Sequence, residues 1–70
     1  MLWTAKLTRE SVTAHFRALV KSGVTPDAAY EQVEGELSEV HVDLLESDLP
    51  TDDVADLLMW WDLDVDYRAL

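Results

Sequence analysis

The apolar residues of this chain recur at helical spacing in three blocks, each opened by a capping residue and set off from the next by a short polar join. In LTRESVTAHFRALVKSG, Val12, Phe16, Leu19 and Val20 share one helical face. Thr8 is placed to accept a free backbone N–H of the first turn, and Leu7 and Val12 are spaced to pack across that cap. Lys21 sits where the helix dipole favours a cation, and Gly23 supplies the left-handed residue by which a chain leaves a helix.

The second block, VTPDAAYEQVEGELSEVHVDLLES, opens with Thr25 as cap, Pro26 in the first helical position and Asp27 at the positive end of the dipole. Ala29, Val33, Leu37, Val40 and Leu44 then form one stripe, flanked by Tyr30 and His41, with Gly35 on the opposite face. A rival pattern ends the helix near Ser38 and makes Val40, Val42 and Leu44 a strand. The stripe runs on without a change of phase, so one long helix is expected. The third block, SDLPTDDVADLLMWW, repeats the start signal: Pro50, Thr51 as cap, then Asp52 and Asp53 in the first turn. Val54, Leu57, Leu58 and Trp61 are its inner face. Together the blocks predict an all-α domain of three helices with short joins, residues 1–70 forming one unit.

The last residues, WWDLDVDYRAL, fit two patterns. A continued helix adds Val65 to the stripe of Val54, Leu58 and Trp61, and stacks Asp62 against Asp66, a repulsive pair. Strict alternation puts Trp61, Leu63, Val65 and Tyr67 on one side and Asp62, Asp64 and Asp66 on the other. This gives an α+β alternative, with the N-terminal segment around WTAKL and residues 62–68 as paired strands. The helix is favoured, because a lone strand needs a neighbour.

Charge changes the picture more than size does. The net charge is −10, with fifteen acids against five bases, and no lysine or arginine occurs from Ser22 to Tyr67. Lys6, Arg9, Arg17 and Lys21 lie in the first 21 residues, and Arg68 is the sole later base. On the second helix Asp27, Glu31 and Glu34 form one row, and Glu36, Glu39, Asp43 and Glu46 another. None has a base three or four residues away. A helix that gives up those pairings accepts like-charge repulsion of a few tenths of a kcal/mol per pair, roughly. The layout speaks to partners and solubility.

Chemical candidates are few. There is no cysteine, which removes disulfides, thiolate metal sites and thiol catalysis. Asp62, Asp64 and Asp66 suggest a calcium loop, but the sixth position is Tyr67 where that loop needs glycine, and the twelfth-position glutamate is missing. His15 and His41 have no carboxylate or second histidine one helical turn away, so neither helix carries a zinc face. Ser11 with His15 and Ser38 with His41 lack an orienting acid and a pocket. Glu31 and Glu34 are paired acids, but nothing buries one of them to raise its pKa, so an exposed acidic helix is expected. The first two helices superficially suggest a helix-turn-helix, yet the second is wholly acidic and would be repelled by phosphate. No metal, no cofactor, no catalysis and no direct nucleic-acid contact is expected.

No apolar run reaches membrane-spanning length, and MLWTAKLTRE lacks the order of a signal peptide, so a soluble cytoplasmic protein is expected. In size, charge and lack of enzyme motifs the chain is similar to small phage-encoded inhibitors that mimic nucleic acid, including anti-CRISPR and anti-restriction proteins. The resemblance covers composition only. It implies a host-cell cytoplasm and a basic, nucleic-acid-binding partner protein. The expected contact surface is Asp27, Glu31, Glu34, Glu36, Glu39, Asp43 and Glu46, with Asp52, Asp53, Asp56, Asp62, Asp64 and Asp66. The alternative is a helical homo-oligomer or adaptor joined through Met59, Trp60 and Trp61, its acidity serving solubility or a salt-rich cytoplasm.

Overall fold

The computed structural model describes residues 7–70. Three helices follow in order: α1, Arg9–Lys21; α2, Pro26–Glu46; and α3, Asp52–Leu63. A single 3₁₀ turn, Tyr67–Ala69, follows them. The fold is all-α, and among the described residues there is no strand.

Local chemistry accounts for the helix ends. At the start of α1 the Thr8 hydroxyl accepts from Ser11 N at 3.0 Å, and Thr8 N donates to Ser11 Oγ at 2.9 Å. This reciprocal pair satisfies two backbone donors. α1 ends with Val24 N on Leu19 O and Gly23 N on Val20 O, the double closure of a Schellman turn, with Gly23 at φ 109°. α2 ends the same way, with Leu49 N on Leu44 O and Asp48 N on Leu45 O. Here the left-handed residue is Asp48, at φ 55°. α2 runs unbroken to Glu46, which excludes a strand at Val40–Leu44. Thr25 caps α2 through Ala28 N, whereas Thr51, in the cap position of α3, makes no such bond.

α2 is the central element and packs against both α1 and α3. His15 of α1 meets Glu36 at the middle of α2, and Trp61 near the end of α3 meets Tyr30 near the start of α2. The core gathers Val12 and Phe16 of α1, Ala29, Val33 and Leu37 of α2, and Leu57 and Trp61 of α3. Leu58, expected on the inner face, packs at the margin of this core. Trp61 is fully buried, and its indole N–H donates to Tyr30 O at 3.2 Å.

The end of the chain is a correction to both patterns in the sequence. α3 stops at Leu63, short of the expected extension to Val65, and residues 62–68 form no strand. The chain keeps one more turn of contact, with Val65 N on Trp60 O at 3.1 Å, and then reverses at Asp66, φ −93° and ψ 87°. Val65 and Tyr67 pack on the core while Leu63 is 76% exposed, so the alternating face is split. Aspartate is a poor interior helix former and is unfavourable at the negative end of a helix. The aromatic contacts that Tyr67 gains on α2 and α1 reward the reversal. Most of WTAKL, the suggested strand partner, lies outside the described residues.

Candidate functional site

The carboxylates face outward, but they occupy three patches. Helical spacing puts Asp27, Glu31 and Glu34 on one flank of the α2 stripe, and Glu36, Glu39, Asp43 and Glu46 on the other. Asp52, Asp53 and Asp56 form a third group at the start of α3. Asp64 and Asp66 are exposed beyond its end.

The first patch has the densest geometry. Its row borders an open hollow of about 590 Å³, whose other walls include Tyr30, Tyr67 and Arg68. Asp62 of α3 meets Glu34 of this row. The Glu34 carboxyl is held above its ordinary value of 4.5, first by a hydrogen bond with Asp62, then by partial burial and by the charges of Asp62 and Glu31. The Tyr30 hydroxyl is pushed up as well, chiefly by burial and by the charges of Asp62 and Glu34. The sequence expected nothing to raise the pKa of Glu34. The cause is an acid from another helix, which no local spacing announces.

At the mouth of the hollow the segment after α3 folds back. Tyr67 stacks on Tyr30 with ring centroids 4.5 Å apart and meets Phe16 edge-on at 6.3 Å. Its hydroxyl donates to Asp27 Oδ1, and Arg68 Nη2 lies 3.7 Å from the same oxygen. The bond to Asp27 is the main influence raising the Tyr67 phenol, opposed by Arg68. Sequence reasoning missed Tyr30, Tyr67 and Arg68 as site residues. The one available signal was that Arg68 is the sole base after Lys21.

One acid of the second patch is engaged by α1 and by its own helix. Glu36 Oε2 is 2.7 Å from His15 Nε2, and Glu36 Oε1 accepts from Gln32 Nε2 at 3.1 Å. With its side chain only 17% exposed, Glu36 belongs to the α1–α2 seam more than to an outward face. Glu39, Asp43 and Glu46 stay exposed. At the third patch, Arg9 borders a hollow with Asp53 and Asp56 and places its guanidinium 5.3 Å from the Trp60 ring centroid. One of the early bases therefore lines the same hollow as two acids of α3.

Of the expected apolar contact residues, Met59 is 60% exposed and Trp60 is half-buried beneath Arg9. Trp61 corrects the expectation: fully buried between Phe16 and Tyr30, it has no surface to offer. Ser11 is engaged in the α1 cap through both its donor and its acceptor. Among the described residues no cluster of three or more potential ligands is arranged to hold a metal ion. Among those residues no helix is long and apolar enough to cross a membrane.

These features define a small three-helix protein with a folded-back terminal segment and a carboxylate-lined hollow. No protein-family model, curated protein or solved structure matches the chain. Its function is therefore argued from this geometry.

Proposed function

We propose that the chain is a non-enzymatic acidic binding protein that occupies a basic, nucleic-acid-binding surface of a partner protein, in the manner of an inhibitor that mimics nucleic acid. The observation that carries this reading is the row of Asp27, Glu31 and Glu34 along one side of α2, bordering one open hollow, with Asp62 of α3 brought against Glu34. Like charges held this near one another are unfavourable in the free protein, and an incoming cation relieves that repulsion. Two further acidic patches on other flanks of a body 36 × 22 × 17 Å across suit a partner that encloses the molecule in a basic cleft better than one with a flat face. Such a protein would act in the cytoplasm, the host's if the chain is phage-encoded.

The test is capture from native cell extract at low and high salt, with duplex DNA as competitor. Basic nucleic-acid-binding proteins should be retained at low salt and released by salt or by DNA. Charge reversal at Glu31 and Glu34 should weaken capture more than replacement of His15 or His41 by alanine. Retention that ignores salt removes the proposal.

A second reading, self-association, is favoured by Met59 and Leu63, which lie one turn apart on the outer side of α3 and are 60% and 76% exposed. Sedimentation decides it: a clean monomer over a wide concentration range excludes an oligomer. Serine at both positions should dissociate one.

A further inference from the structure

We propose that Arg68, held in place by Tyr67, is an internal counter-ion for the Asp27–Glu31–Glu34 row, and that a basic partner must displace it to engage that row. The proposal rests on the acidic-binding reading above and adds a regulatory element to it. Arg68 is the one base after Lys21, and the fold brings it to the densest acidic patch. Its guanidinium carbon lies 5.6 Å from the Tyr67 ring centroid, and Tyr67 is itself stacked on Tyr30 and bonded to Asp27. The row thus already holds a guanidinium, presented beside a phenol on a short turn of its own chain.

The attachment has the character of a displaceable contact. The two ion-pair side chains, Arg68 and Asp27, are 73% and 71% exposed, so water and salt screen their attraction. The backbone bonds of the turn, Ala69 N on Asp66 O and Leu70 N on Tyr67 O, both lie inside the segment itself. No described backbone bond ties residues 66–70 to α2. The segment can therefore lift without breaking a helix, uncovering the Tyr30 ring and the Asp27 carboxylate together. An external arginine or lysine gains the attraction of the row only after this internal competitor is moved, which lowers apparent affinity by the fraction of time the segment is docked.

A hexa-arginine peptide titrated against the full chain at low ionic strength tests this. Arg68→Gln should bind the peptide about 2–5-fold more tightly than the parent, the range an exposed ion pair supports. Tyr67→Phe, which keeps the stack and loses only the bond to Asp27, should gain less. Arg17→Gln changes the net charge equally, but at an exposed position of α1 that borders neither hollow. It should alter binding little. Peptide binding to the parent should also move the Tyr67 ring resonances toward their unstacked values. Equal gains for Arg68→Gln and Arg17→Gln, or Tyr67 resonances that stay put on binding, overturn the displacement while leaving the acidic-binding reading intact. Failure of every form to bind the peptide at low salt overturns both.

Discussion

Trp60 and Trp61 are neighbours in sequence with unequal structural roles, and replacing each by alanine measures the difference. Trp61 has no exposed surface, is stacked on Tyr30 at 5.4 Å, meets Phe16 edge-on at 5.6 Å, and donates to the Tyr30 carbonyl. Removing a buried indole of this kind costs about 3–5 kcal/mol, transfer and cavity together. A domain of 70 residues has a total stability of roughly 3.5–10 kcal/mol at the usual value per residue. Trp61→Ala should therefore sit at the edge of unfolding at room temperature. Trp60 is half-buried and carries Arg9 over its face, so its loss forfeits about half the apolar burial plus ~0.5–1 kcal/mol of cation–π attraction. Urea denaturation followed by circular dichroism at the helix band compares the two. The reasoning fails if Trp60→Ala destabilises as much as Trp61→Ala, or if Trp61→Ala loses less than about 2 kcal/mol.

Two further outcomes follow from the helix ends and the acidic patch. Asp48 holds a left-handed conformation at φ 55° beside the negative end of α2, whose last turn has no base, so Asp48→Gly should stabilise by about 1 kcal/mol and raise the melting temperature by several degrees; a fall would refute it. Because Glu34 titrates above its ordinary value of 4.5 in the folded protein, its contribution to stability is full below that value and is lost as pH rises through the raised one. Glu34→Gln should then melt higher than the parent at pH 7, with the gap closing as pH falls toward the ordinary value of 4.5; a constant gap, or none, contradicts the Glu34–Asp62 contact.

Much of this fold is present in the amino-acid pattern, because helix geometry is local. Thr8, Thr25, Pro26 and Gly23 stand where the structure uses them, and the stripe from Ala29 to Val40 is the buried face of α2. Capping and 3.6-residue periodicity act over one or two turns, so neighbouring residues suffice to reveal them. The sequence also determined the sign of the surface: seven carboxylates on α2 with no lysine or arginine among them leave an acidic helix whatever packs against it.

The tertiary structure decided how those charges are grouped and which are answered. Glu34 meets Asp62 across 28 positions of chain, Glu36 meets His15 across 21, and Asp27 meets Tyr67 across 40. None of these spacings is periodic, so no local pattern encodes them. The same holds for the reversal after Leu63. Alternating aspartates favour a strand and Val65 favours a helix, yet the chain takes neither course, because Tyr67 finds a stacked aromatic surface on α2 that exists only once Tyr30, Phe16 and Trp61 have been brought together. Local preference sets which elements can form, and the contact of distant rings and carboxylates sets where the chain ends and where its charge is concentrated.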